Sequence, residues 1–93
     1  MLVNHEVNGN KGAFVAVEDG KKIGEMTYSA AGPGKIIIDH TEVDEQEKGK
    51  GIGHVLLMKA VEYARDNQVK IMPLCPFAKA SFDRDVTIRD VLF

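Results

Sequence analysis

The chain has 93 residues, 44% of them hydrophobic and 28% charged, a balance that predicts one globular domain over residues 1–93 and excludes a disordered tract. A net charge of −2 with dispersed basic residues excludes a general nucleic-acid surface. One cysteine and three scattered histidines exclude a disulfide framework and a thiolate-rich metal centre, and the lone thiol fits a reducing compartment such as the cytoplasm.

Val3–Val7 reads as a first strand that Asn8, Gly9 and Asn10 interrupt. Nothing in Met1 to Glu6 resembles a basic start with an apolar run, so no signal peptide is expected. Ala13–Glu18 is apolar and β-branched, and Asp19-Gly20 predicts a tight hairpin into Lys22–Ala31, marked by Ile23, Glu25 and Tyr28. Gly32, Pro33 and Gly34 make a second turn. Lys35–Val43 then continues as the third member of an antiparallel meander. From Ile52 to Asn67 the period changes: Ile52, Leu56, Ala60, Tyr63 and Ala64 share a face, opposite a polar arc of His54, Lys59, Glu62, Arg65 and Asp66. Asn67 is the predicted stop. Val69–Leu74 is short and apolar, a buried strand, and Pro76 opens a helix through Phe82. The tail from Arg84 to Phe93 allows one short helix. No apolar stretch reaches the ~20 residues needed to span a bilayer. The expected fold is a mixed α+β sheet: an antiparallel meander, a right-handed β-α-β crossover and a C-terminal helix.

The segment Glu47 to His54 carries the chemistry. A strand, a turn with Gly49, Gly51 and Gly53, and a helix in that order leave bare N–H groups at a helix start, which suits phosphate. Lys48 and Lys50 add positive charge. A P-loop is excluded, because Gly53 is followed by His54 and Val55 rather than by lysine and a hydroxyl. The dinucleotide fingerprint fails as well, because His54 takes the place of its third glycine. A plain flexible turn remains the structural alternative.

Read as Lys48-Gly49-Lys50-Gly51-Ile52-Gly53, the turn follows Arg/Gln-x-x-Gly-x-Gly/Ala with Lys48 in the first place. It resembles the acetyl-coenzyme-A pyrophosphate loop of the GNAT N-acetyltransferases. His40-Thr41-Glu42-Val43 before it, and Pro73-Leu74-Cys75-Pro76-Phe77 with Lys79 after it, sharpen the likeness. In this order and at this length the three segments resemble the minimal GNAT-like proteins often called YjdJ-type, over about Ala13–Phe82. The resemblance implies a truncated GNAT-like fold, acetyl-coenzyme A as cofactor, and acetyl transfer to an amine. It places Thr41, Glu42 and Val43 along one side of the cofactor, and Lys48, Gly49, Lys50, Gly51, Ile52, Gly53 and His54 around its diphosphate. Cys75, Pro76, Phe77 and Lys79 fall on the other side. The helices between the first two strands and the final strand pair of larger members, which form their acceptor pocket, have no counterpart here. Their tyrosine acid is also missing, because Phe77 and Phe82 lack a hydroxyl.

The catalytic candidates are Cys75, His40 and Glu42. Cys75 stands at a strand end before a helix start, where a thiol can be activated; the alternative is a small buried hydrophobe. His40 is the natural base if it faces the thioester and otherwise a hydrogen-bonded strand residue. Glu42 needs burial to serve as a base, and Lys79 is either a phosphate contact or a surface lysine. Four functional readings follow. They are direct acetyl transfer in a ternary complex, transfer through an acetyl-Cys75, a non-catalytic coenzyme-A or acyl-coenzyme-A module, and an interaction protein with a structural turn. The expected acceptor is an unidentified small-molecule or protein amine, with no nucleic-acid or membrane partner, on a monomer or weak homodimer.

Overall fold

The computed structural model describes residues 1–93 throughout. Five strands, β1 (Leu2–Asn8), β2 (Lys11–Glu18), β3 (Lys21–Ala30), β4 (Lys35–Val43) and β5 (Lys70–Pro73), form one sheet in sequential order. The first four are antiparallel and β5 joins β4 in parallel. The long helix α1 (Ile52–Asn67) makes the crossover, and α2 (Pro76–Arg84) follows β5. The meander therefore has four members, with Lys35–Val43 as the fourth rather than the third. Asp19 and Gly20, both at positive φ, close the β2–β3 hairpin as the Asp-Gly pair predicts. Helix α1 ends at Asn67, but the left-handed cap is Gln68 (φ 55°), whose N–H reaches the Ala64 carbonyl. The predicted strand at Val69–Leu74 shortens to four residues, because Val69 still bonds back to Ala64.

Both helices pack on one face of the sheet. Phe14, Met26, Ile38, Leu56, Leu57, Val61, Ile71 and Phe82 form the centre of a single buried cluster. Burying each such side chain contributes ~1.5–3 kcal/mol. The other face has no covering layer, and the shortest dimension of 20 Å is that of one sheet plus one layer of helix. The short helix allowed for the tail forms as a 3-10 helix at Val86–Val91. It then runs along the free edge of β5, where Leu92 bridges Ile71 and the Phe93 N–H bonds to the Ile71 carbonyl. That contact protects an otherwise open strand edge.

At the end of the sheet remote from the glycine turn, His5 stacks on Phe14 with ring centroids 4.4 Å apart. Its Nε2 lies 2.6 Å from the Tyr28 hydroxyl. Burial of the ring lowers the His5 pKa below its ordinary value. A base with a depressed folded pKa binds fewer protons in the native state than in the unfolded chain. The contribution of His5 to stability should therefore begin to fall as the pH drops through about 6.5 and be gone below the folded value. Thermal melts of wild type and His5→Phe between pH 8 and 5 should diverge, with the variant less acid-sensitive; parallel curves would contradict the assignment.

Candidate functional site

Strands β4 and β5 stay together only from Lys35–Lys70 to Ile38–Pro73. The Ile38 carbonyl accepts the N–H groups of both Leu74 and Cys75, and there the two chains part. β4 runs on to Val43, while β5 ends at Pro73 and Pro76 starts α2. Residues 40–43 therefore have no strand partner on their β5 side. A wedge-shaped gap results.

One flank of this gap is a cleft of about 360 Å³. Its walls come from Thr41 and Val43 on β4, from Glu47 to Gly49 and Gly51 to His54 at the turn, and from Phe77, Ser81 and Arg84 on α2. Gly51 is the N-cap of α1 in the left-handed region (φ 79°), with no side-chain cap on the first turn. The amides of Ile52, Gly53 and His54 consequently lack helical acceptors. Gly53 matters for a different reason: a Cβ there would lie 2.9 Å from the far end of the Phe77 ring, which packs against the helix start and would have to shift. With the helix dipole, these amides make an anion seat.

The turn lysines are engaged. Lys48 Nζ lies 2.8 Å from Glu45 and Lys50 Nζ lies 3.2 Å from Glu47, each pair three residues apart across a 3-10 turn at Glu45–Glu47. The hydrogen bond between Lys48 and Glu45 raises the lysine pKa and lowers that of the carboxylate. Lys48 lines the cleft, but Lys50 does not. Lys79 lies outside the cleft as well, and its ammonium is 3.5 Å from Asp83 on the exposed side of α2.

The three catalytic candidates are not brought together. Asp39 is the extra residue of a β-bulge, because Tyr28 pairs with Ile38 while Thr27 pairs with His40. The bulge shifts the alternation of the strand. Thr41 and Val43 face the helices, whereas His40 and Glu42 face the bare side, beside Thr27 and Glu25. There His40 Nε2 is 3.2 Å from Glu42 Oε2, and both groups are exposed. Glu42 therefore lacks the burial that a base role would require of it. Cys75 lies on the helix side at 3% exposure. Its Sγ accepts from the Ala78 N–H at 3.5 Å and is 3.1 Å from the Thr41 hydroxyl, so it caps α2 and ties that helix to β4 across the gap. Pro76 occupies the first position of α2, as predicted.

Ser81 and Arg84 are absent from the sequence-derived set. They follow Phe77 at four and seven residues, the spacing of one helical stripe, so the position of Phe77 carried the signal.

The family model described as GCN5-related N-acetyl-transferase matches residues 13–91. Among solved structures, a GCN5-like protein from Staphylococcus aureus is 32% identical and covers 97% of this chain and 87% of its own, with a TM-score of 0.72. A ribosomal-protein-alanine N-acetyltransferase from Brucella melitensis is 18% identical over 83% of this chain and 62% of its own, with a TM-score of 0.72. A GNAT family acetyltransferase from Elizabethkingia anophelis with acetyl-CoA bound is 20% identical over 69% of this chain and 42% of its own, with a TM-score of 0.62. At those two identities the likeness is one of fold. No curated protein matches the chain. No helix is long and apolar enough to cross a membrane.

Proposed function

The chain belongs to the GCN5-related N-acetyltransferase family, and from that premise we propose that it transfers the acetyl group of acetyl-coenzyme A directly to an amine. The observation that carries the reading is the gap itself: an open backbone edge on β4 leads to an uncapped helix start, an arrangement that suits an extended arm ending in a diphosphate. The residues fit that ligand, since Gly51, Ile52, Gly53 and His54 line the cleft at the uncapped helix start and a side chain at Gly53 would push on the Phe77 ring.

In this reading Ile52, Gly53 and His54 hold the diphosphate through their amides, with Lys48 beside them. The backbone of Thr41, Glu42 and Val43 holds the arm, and an amide near the end of β4 stabilises developing charge on the carbonyl oxygen. Acetyl-coenzyme A supplies the activated acyl group: a C–N bond to the amine replaces the C–S bond, and sulfur leaves with the electron pair. His40 takes the amine proton on the bare face of the sheet, and Glu42, hydrogen-bonded to it, orients the ring. Holding both reactants in line supplies much of the rate, up to ~7–11 kcal/mol in well-oriented cases. Cys75 lies behind Thr41 at the narrow end of the gap and keeps α2 in place.

The test is release of free coenzyme A from acetyl-coenzyme A across a panel of primary amines. Release should depend on the amine, and Cys75→Ala should keep activity within a few-fold. An acetylated Cys75 formed without acceptor, together with a dead alanine variant, would replace direct attack by the covalent route. Thiol release indifferent to every amine would refute acetyl transfer.

A further inference from the structure

The chain has three arginines, and two of them are fixed by its own structure. Arg65 forks onto both carboxylate oxygens of Asp90 and donates to the Thr87 carbonyl. Arg89 donates to the carbonyls of Phe82 and Asp83. Arg84 has neither an ion pair nor a hydrogen bond, yet it lines the cleft opposite the start of α1. Its acidic neighbours are occupied. Asp83 pairs with Lys79, and Asp85 accepts from the hydroxyl and the N–H of Thr87, which hold its carboxyl below the ordinary range. The loop lysines are each matched by a glutamate, so the turn brings little free charge of its own. Arg84 thus offers an uncommitted guanidinium, with five donors in a planar fork, facing unpaired amides across a cleft.

We infer that Arg84 is the second jaw of the diphosphate site, binding from α2 the oxygens that α1 binds through its amides. The inference rests on the coenzyme-A reading above and adds a residue that the glycine turn does not contain. It makes the geometry of α2, and so the packing of Phe77 and Phe82 beneath it, part of cofactor binding. Coenzyme A has a second phosphate chemistry, the 3′-phosphate, and the walls of the cleft favour the diphosphate because Arg84 shares them with the glycines.

Calorimetric titration of the full chain with coenzyme A and with dephospho-coenzyme A tests this. Arg84→Gln should weaken both ligands by about 10- to 100-fold, the usual effect of losing a charge-assisted contact. Arg84→Lys should fall between, keeping the charge and losing the fork. The side chain is exposed and without partners, so the melting temperature should hold. Equal affinity of wild type and Arg84→Gln overturns the inference and leaves the coenzyme-A reading standing. A penalty that vanishes with dephospho-coenzyme A overturns it too, by moving Arg84 to the 3′-phosphate. Failure of wild type to bind either ligand overturns the coenzyme-A reading, and the role of Arg84 with it.

Discussion

His40→Gln should lower kcat for amine acetylation by about 10²- to 10⁴-fold while leaving coenzyme-A affinity within a factor of two, because a general base acts on the acceptor and not on the cofactor. The split follows from the bulge at Asp39, which puts the imidazole on the bare face while the diphosphate seat lies among the helices. Glu42→Gln should cost less than His40→Gln, since it removes only the partner 3.2 Å away. A glutamine variant at position 40 with full kcat would assign the base elsewhere.

Gly51→Val should weaken coenzyme A by at least ~100-fold in a protein that still folds. Nothing lies within 4 Å of a Cβ built at position 51, so no clash is involved. The backbone carries the effect. At φ 79° a β-branched residue is strained, and the turn should relax toward negative φ, swinging the first amides of α1 away from the cleft. Losing two or three charge-assisted contacts accounts for the size of the drop. The strain, about 1–2 kcal/mol, should also lower the melting temperature without abolishing the fold. Equal affinity in a folded Gly51→Val protein would mean that the turn does not hold the ligand.

The elements that were legible in the sequence are those that local chemistry determines. Asp19-Gly20 closes a hairpin because both residues tolerate positive φ, and the apolar stripe from Ile52 to Ala64 faces the sheet because its period is helical. The glycine turn was legible for the same reason. The bulge at Asp39 was not. It depends on the register between β3 and β4, a long-range pairing, and a strict alternation through Lys35–Val43 sets His40 and Thr41 on the wrong faces relative to Ile38. That single insertion separates His40 and Glu42 from Cys75. The charge of the loop is only half visible in the sequence: Lys48 and Lys50 read as free cations, while the glutamates three residues before each neutralise them only once the segment takes up the helical turn that pairs side chains at that spacing. Arg84 was obscured by the acidic residues around it, and its cleft-facing position depends on the stripe that begins at Phe77.

The central claim is that acetyl-coenzyme A lies in the gap between β4 and β5 with its diphosphate on the start of α1, and amide hydrogen exchange with and without coenzyme A tests it most directly. The account predicts slowed exchange at Gly51 to His54, at Thr41 to Val43 and at Leu74 to Cys75, with β1 and β2 unchanged. Protection confined to the hairpin of β1 and β2, or none at saturating coenzyme A, would contradict it.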